Sequence, residues 1–224
     1  MELLKREQTH LGGFAGLREN RLITDASVFG PPRGGAWPKG IGNFVYLADA
    51  RFQPHGDTRM HPHREIDIIS FMVEGRLRHE GSLGEGSILE GKDVQVQRAG
   101  AKGLIHNEVN PDDQWNHMLQ LWVLPDEQGK ATDYQIITPK LGELTPVYGS
   151  VKSETTLDSK TLISAGLFSE GTNFLGTGEF LCYLIQGKGN LNGKELVEGD
   201  LVRGRDFEFT GTSEGYLFFA QAEE

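Results

Sequence analysis

Residues 61–75 read HPHREIDIISFMVEG, and the apolar run within them decides the fold class. From Ile66 to Val73 this run has the length and β-branched content of a buried strand, and Gly75 ends it. Similar short runs recur between turns rich in glycine, asparagine and aspartate, at residues 44–47, 118–124, 161–163, 180–185 and 216–220. Because helical periodicity is scarce, the sequence predicts an all-β protein, built as a sandwich or a barrel.

The strand that ends at Gly75 has a counterpart in the second half of the chain. Residues 71–76, FMVEGR, align with residues 183–188, YLIQGK, at an offset of 112. Further along, residues 89–91, LEG, align with residues 197–199, VEG, at an offset of 108. We interpret this as a twofold repeat of one β-barrel unit, with a chance alignment of glycine turns as the alternative.

The repeat predicts two domains, one over residues 1–130 and one over residues 131–224. The segment from residue 123 through residue 159 is mostly polar, and we interpret it as a connector between the halves. Histidine occurs only within the first 117 residues. We therefore expect the first domain to bind a metal ion and the second to carry no metal ligands.

Composition narrows the class of function. The chain has 22 Lys plus Arg and 32 Asp plus Glu, so its net charge is −10. An acidic protein repels phosphate backbones and anionic lipid, which disfavours nucleic acid and membrane surfaces as direct partners. The single cysteine excludes an internal disulfide framework and a cysteine-based zinc cluster. With no apolar stretch long enough for a membrane span, we expect a cytoplasmic protein.

Two pairs of residues have the spacing of metal ligands on strands. His61 and His63 stand two apart, and so do His106 and Glu108. On a strand, residues i and i+2 point to the same face, so each pair converges. Pro62 cannot donate to a sheet ladder, which predicts an edge or bulge position for the first pair.

Two such pairs on facing strands form a site of three histidines and one carboxylate. Imidazole suits several transition metals, and open coordination positions separate a catalytic site from a structural one. We expect one divalent ion, Fe(II) first, with Ni, Cu, Zn and Mn as alternatives. The opposing interpretation is a surface histidine pair without a metal.

These motifs resemble a known superfamily. Residues 56–75 and 91–110 are similar to the two cupin motifs, and the chain more narrowly resembles the pirin family of bicupins over about residues 40–140. The resemblance rests on the segments HPHR at 61–64, VEG at 73–75, HE at 79–80, SLG at 82–84, AG at 99–100, HNE at 106–108 and LWVLP at 121–125.

The resemblance implies a bicupin of two jelly-roll β-barrels whose first barrel binds the metal through His61, His63, His106 and Glu108. It also implies quercetin 2,3-dioxygenase activity, which is associated with several members. Where the family usually has Glu, this chain has Asp67, a candidate to orient one histidine by a hydrogen bond. Where the family usually has His-Ser-Glu, this chain has residues 106–108, HNE, which leaves the ligands intact.

The resemblance leaves two functions open. The first is a dioxygenase that cleaves a flavonol such as quercetin with O₂, with Glu108 as both ligand and catalytic base. The second is a non-enzymatic regulator that senses metal or redox state and binds a partner protein. A roomy aromatic cavity beside the site favours the enzyme, and a closed site beside an exposed patch favours the regulator.

Overall fold

A computed structural model describes residues 1–149 and 156–223. The described chain is almost entirely β-structure, with one short α-helix and one 3₁₀ turn, so the all-β prediction is confirmed. The helical segments of this part of the chain are too short to span a bilayer.

The helical segments are α1 (Ala26–Phe29) and the 3₁₀ turn Arg6–Gln8. In chain order, the strands are β1 (Glu2–Lys5), β2 (Leu11–Phe14), β3 (Leu17–Thr24), β4 (Phe44–Phe52), β5 (His61–His63), β6 (Asp67–Glu74), β7 (Arg76–Gly81), β8 (Ile88–Glu90), β9 (Val94–Arg98), β10 (Leu104–Val109), β11 (His117–Val123), β12 (Asp133–Ile137), β13 (Leu144–Tyr148), β14 (Thr161–Phe168), β15 (Asn173–Gln186), β16 (Lys188–Leu191), β17 (Lys194–Val197), β18 (Asp200–Gly211) and β19 (Gly215–Ala222).

The chain divides into two compact units. The larger unit is Thr9–Lys39 with Phe44–Thr138, and the smaller is Met1–Gln8, Gly40–Asn43 and Pro139–Glu224. The sequence predicts a single division at residue 130. In the structure, β12 falls in the larger unit because it pairs with β9, and β1 falls in the smaller because it pairs with β18.

The larger unit contains two sheets. One has the strand order β12-β9-β6-β11-β4-β3-β2 and the other the order β5-β10-β7-β8. One apolar cluster of its core consists of Leu17, Ala50, Phe52, Met72, Leu77, Leu89 and Met118. The smaller unit has one sheet, of order β13-β14-β19-β15-β18-β16-β17, around a core rich in phenylalanine.

The hairpins predicted from the repeat are present in both units. Gly75 joins β6 to β7 with φ at +77°, and Gly187 joins β15 to β16 with φ at +89°. A Cβ at Gly75 would lie 2.9 Å from the Cβ of Asn116, and one at Gly187 would lie 2.3 Å from the carbonyl oxygen of Glu214. Both positions therefore need glycine for backbone conformation and for space.

The predicted connector contains two strands that the sequence analysis missed, and residues 150–155 of it lie outside the described residues. Strand β12 pairs with β9 at a sheet edge and has no fully buried residue. Strand β13 pairs with β14 at a sheet edge and contains Pro146. Edge strands bury little apolar surface, so they lack the apolar run by which the other strands were identified.

Candidate metal centre

The first histidine pair lies on an edge strand, as Pro62 predicts. Strand β5 pairs only with β10, at the end of its sheet. The antiparallel register places His106 directly opposite His61, and Leu104 opposite His63. Alternation then puts His61, His63 and His106 on one face of the sheet, where their side chains meet.

The three imidazole rings form a compact cluster. Ring centroids lie 4.8 Å apart for His61 and His63, 4.5 Å for His61 and His106, and 4.9 Å for His63 and His106. One nitrogen from each ring lies within 4.8 Å of the other two. Nitrogens bonded to one metal ion at about 2.1 Å stand no more than about 4.2 Å apart, so a small inward movement of the rings would suffice.

Hydrogen bonds to the outer nitrogens orient two of these rings. Nδ1 of His61 lies 2.8 Å from the carbonyl oxygen of Arg59, and Nδ1 of His106 lies 3.0 Å from Oε1 of Gln97. Each Nδ1–H therefore donates outward, which leaves the Nε2 lone pair of each ring pointing inward. These two Nε2 atoms are 3.1 Å apart, and the buried Nε2 of His63 has no hydrogen-bond partner.

Inward-pointing lone pairs at this distance repel one another unless a cation lies among them. Protons on His106 and His63 are disfavoured, because burial lowers the pKa of His106 to about 2 and that of His63 to about 4. Neighbouring histidines lower both pKa values further. Neutral imidazoles with free Nε2 atoms are the form that binds a transition metal, so the three histidines fit a metal ion.

The fourth predicted ligand, Glu108, is held beside the cluster by other contacts. Its carboxylate accepts hydrogen bonds from Oγ of Ser70 at 3.2 Å and from Nε2 of Gln120 at 3.0 Å. Ser70 and Gln120 are directly opposed on β6 and β11. Glu108 does not belong to the three-histidine group within 4.8 Å, so its role as a ligand stays a prediction.

Burial sets the protonation of Glu108. The residue is 1% exposed, and desolvation raises the pKa of its carboxyl to about 7, although the hydrogen bonds from Ser70 and Gln120 oppose this rise. The backbone of Glu108 is also held, because its amide donates to the hydroxyl of Thr58 at 3.0 Å. The carboxyl therefore titrates near neutrality in the metal-free protein.

Asp67, which was predicted to orient one histidine, contacts Arg98, and its orienting role stays a prediction. Its two carboxylate oxygens accept hydrogen bonds from Arg98, its register partner on β9, at 2.8 to 3.1 Å. Alternation along β6 places Asp67 on the face opposite to Ser70, which contacts Glu108. The hydrogen bonds that orient ring nitrogens come from Gln97 and from the backbone of Arg59.

No role at the site was predicted from the sequence for Gln97 or His79. Gln97 contacts two histidines. Its Oε1 accepts from Nδ1 of His106, and its Nε2 lies 3.1 Å from Nε2 of the buried His79. The signal was the segment VQVQR over residues 94–98, in which glutamine alternates with valine. Polar residues at alternate positions of a fully buried strand indicate a polar site on one of its faces.

A cavity of about 540 Å³ in the larger unit opens onto His61 and His63. Trp122 lies against His63 with ring centroids 5.3 Å apart, and Tyr46 stacks on Trp122 at 4.7 Å. The ring of Phe29 packs against Tyr46 and Trp122, with centroid distances of 5.8 and 5.9 Å. One wall of the cavity is therefore aromatic, and it begins at the histidine cluster.

Comparisons with known proteins identify relatives of this chain. The family model described as Pirin matches residues 32–123, which contain all four predicted ligands. A Mycobacterium tuberculosis protein named "Putative quercetin 2,3-dioxygenase" is 31% identical over 176 residues, covering 73% of this chain and 71% of that protein. A Zymomonas mobilis protein of the same description is 38% identical over 81 residues, but that match spans only 34% of its length and 36% of this chain.

A solved structure shows the same fold. The bacterial pirin YhhW of Escherichia coli, in complex with nickel(II), superposes with a TM-score of 0.84 at 17% identity. The superposition covers 100% of this chain and 99% of that one. The predicted fold class, an all-β bicupin, is confirmed.

Replacing Gln97 by Leu should weaken metal binding by about 10- to 100-fold, because His106 loses the acceptor that holds its ring and tautomer. A competition titration of Ni(II) against a chelator of known affinity measures the change. Gln128→Leu, at an exposed position, is the matched control and should bind as wild type does. Unchanged affinity in Gln97→Leu would show that the amide does not orient the ring.

Glu108 should make the metal-free protein less stable as pH rises. Between 4.5, the ordinary pKa, and about 7 the folded protein keeps a proton that the unfolded chain has released. The contribution of Glu108 to the free energy of unfolding therefore falls as pH rises through this window. Glu108→Gln has no such proton. Its free energy of unfolding should therefore rise by about 3 kcal/mol relative to that of wild type between pH 5 and pH 8.

Urea unfolding of both proteins at each pH, with chelator present, measures this difference. The histidines are common to both proteins, so their opposite pH dependence cancels. Glu127→Gln, at an exposed position, should show no pH-dependent difference. A constant difference between Glu108→Gln and wild type would mean that Glu108 is ionised in the folded protein throughout.

Proposed function

Because the chain belongs to the pirin family, we propose that it is a metal-dependent dioxygenase that cleaves a flavonol such as quercetin with O₂. The observation that carries the proposal is the aromatic cavity that opens onto His61 and His63, two members of the three-histidine cluster. His61, His63 and His106 would hold one divalent ion, with Glu108 as the fourth ligand. Fe(II) is our first choice, and Ni, Cu, Zn and Mn are the alternatives that metal analysis distinguishes.

The bound ion would supply a Lewis acid that lowers the pKa of a substrate hydroxyl and a site where substrate and O₂ meet. The side chains of this chain account for the rest. Trp122 and Tyr46 line the cavity, where their rings would contact a planar substrate. The substrate is then held with its hydroxyl end at the histidines, because the aromatic wall begins at His63.

Glu108 is the proposed base. Its carboxylate would accept the proton of the 3-hydroxyl, which is the role of a general base. Ser70 and Gln120 each donate a hydrogen bond to it, so its two oxygens stay fixed while the proton moves. The resulting electron-rich enolate reacts with O₂, and ring cleavage releases carbon monoxide.

The cavity also bears on the alternative function, a regulator that senses metal or redox state and binds a partner protein. A sensor needs no large space beside its ion, whereas a substrate does. A volume of about 540 Å³ with an aromatic wall therefore favours the enzyme.

Oxygen uptake by Fe(II)-loaded protein, prepared anaerobically, tests the proposal. We expect uptake that requires quercetin, releases carbon monoxide and disappears in His61→Ala. His55→Ala is the matched control, because His55 is exposed and paired with Asp113, and it should retain full activity. Glu108→Gln should lose about 10²- to 10⁴-fold in turnover while it loses less metal. Absence of uptake with one ion bound per chain would contradict the proposal.

A further inference from the structure

The wall of the cavity also carries two arginines, Arg21 and Arg33. Nε of Arg21 donates to Oε1 of Glu19 at 2.8 Å, and its Nη2 lies 2.6 Å from the same oxygen. The other oxygen of Glu19 accepts from the hydroxyl of Tyr46 at 2.9 Å. Both oxygens of this carboxylate are therefore occupied, and one edge of the Arg21 guanidinium is held in place.

This pair differs from an ordinary surface ion pair in its burial. The side chain of Glu19 is 4% exposed, whereas that of Arg21 is 53% exposed. Surface pairs leave both partners in water and contribute little to stability. Here Glu19 is almost fully buried in the wall of the cavity. Arg21, whose guanidinium carries five N–H donors, is exposed at its surface.

Arg33 adds a second positive charge. It is exposed, lines the same cavity and has no ion pair among the residues that the structure describes. The charged groups of the lining are then Glu19, Arg21 and Arg33, which sum to one positive charge on a chain whose net charge is −10. A positive cavity in an acidic protein selects anions.

Contacts order these groups along the wall. The ring of Trp122 contacts the rings of both His63 and Tyr46. Tyr46 and Arg21 in turn each donate a hydrogen bond to Glu19. A planar ligand with its chelating oxygens at the histidines would lie over the aromatic rings and reach toward the arginine. A guanidinium with a free edge suits a carboxylate, which it can bind through two parallel hydrogen bonds.

We propose that Arg21, held by Glu19 and Tyr46, together with Arg33 makes this cavity selective for aromatic substrates that carry a carboxylate away from their chelating end. The inference rests on the proposed function only in taking the histidine cluster as the end that meets the substrate. A neutral flavonol such as quercetin is then a weaker ligand than its acidic counterpart.

The test compares two ligands that differ in one group, 3-hydroxyflavone and 4′-carboxy-3-hydroxyflavone. Both are titrated anaerobically into Ni(II)-loaded protein, and their own absorbance reports binding without turnover. We expect wild type to bind the carboxylate at least about 10-fold more tightly. Arg21→Gln and Arg33→Gln should each reduce this preference by about 5-fold or more and leave the affinity for 3-hydroxyflavone within about 2-fold.

Two features keep the outcome interpretable. Arg33→Gln leaves the buried Glu19 paired, so it tests the charge even if Arg21→Gln is unstable. Arg78→Gln is the matched control, because Arg78 pairs with Glu80 outside the cavity, and it should keep the full preference.

Equal affinity of wild type for the two ligands, equal weakening of both in the variants, or binding of neither would overturn the inference. Failure of the proposed function is a separate result. A protein that prefers the carboxylate but consumes no O₂ with quercetin would retain the inference and lose the dioxygenase activity.

Discussion

The site depends on the antiparallel register of β10 against β5, which places His106 directly opposite His61. A slip of one residue would move His106 and Glu108 together to the other face of the sheet. With the register as it is, the inward lone pairs of His61 and His106 approach to 3.1 Å. A bound cation would convert this close approach into coordination.

A second register, that of β6 against β11, determines what surrounds the histidines. Along the inner face of these strands Met118 lies opposite Met72, Gln120 opposite Ser70, and Trp122 opposite Ile68. The inner face therefore changes from an apolar layer to a polar layer and then to an aromatic one. Glu108 lies at the polar layer and the cavity at the aromatic layer, so the proposed proton acceptor and the aromatic wall are set by the same pairing.

Much of this arrangement could be predicted from local sequence. The i, i+2 spacing of the histidines identified the cluster, and the apolar runs identified the central strands, because both signals depend only on alternation along a strand. The orienting role of Asp67 stays a prediction, because spacing alone does not say which face a strand turns inward. Gln97 was missed because its partner, His106, becomes a neighbour only after β9 and β10 have paired into different sheets.

X-ray absorption spectroscopy of the Fe(II)-loaded protein at the metal edge tests most directly whether these residues converge on one ion. We expect three imidazole nitrogens, recognisable by multiple scattering from the rings, at about 2.0–2.2 Å, together with oxygen ligands. We also expect that His61→Ala, loaded with the same metal under the same conditions, loses this signature. A spectrum with fewer than two imidazoles, or one unchanged in His61→Ala, would contradict the claim that the histidine cluster is the metal centre.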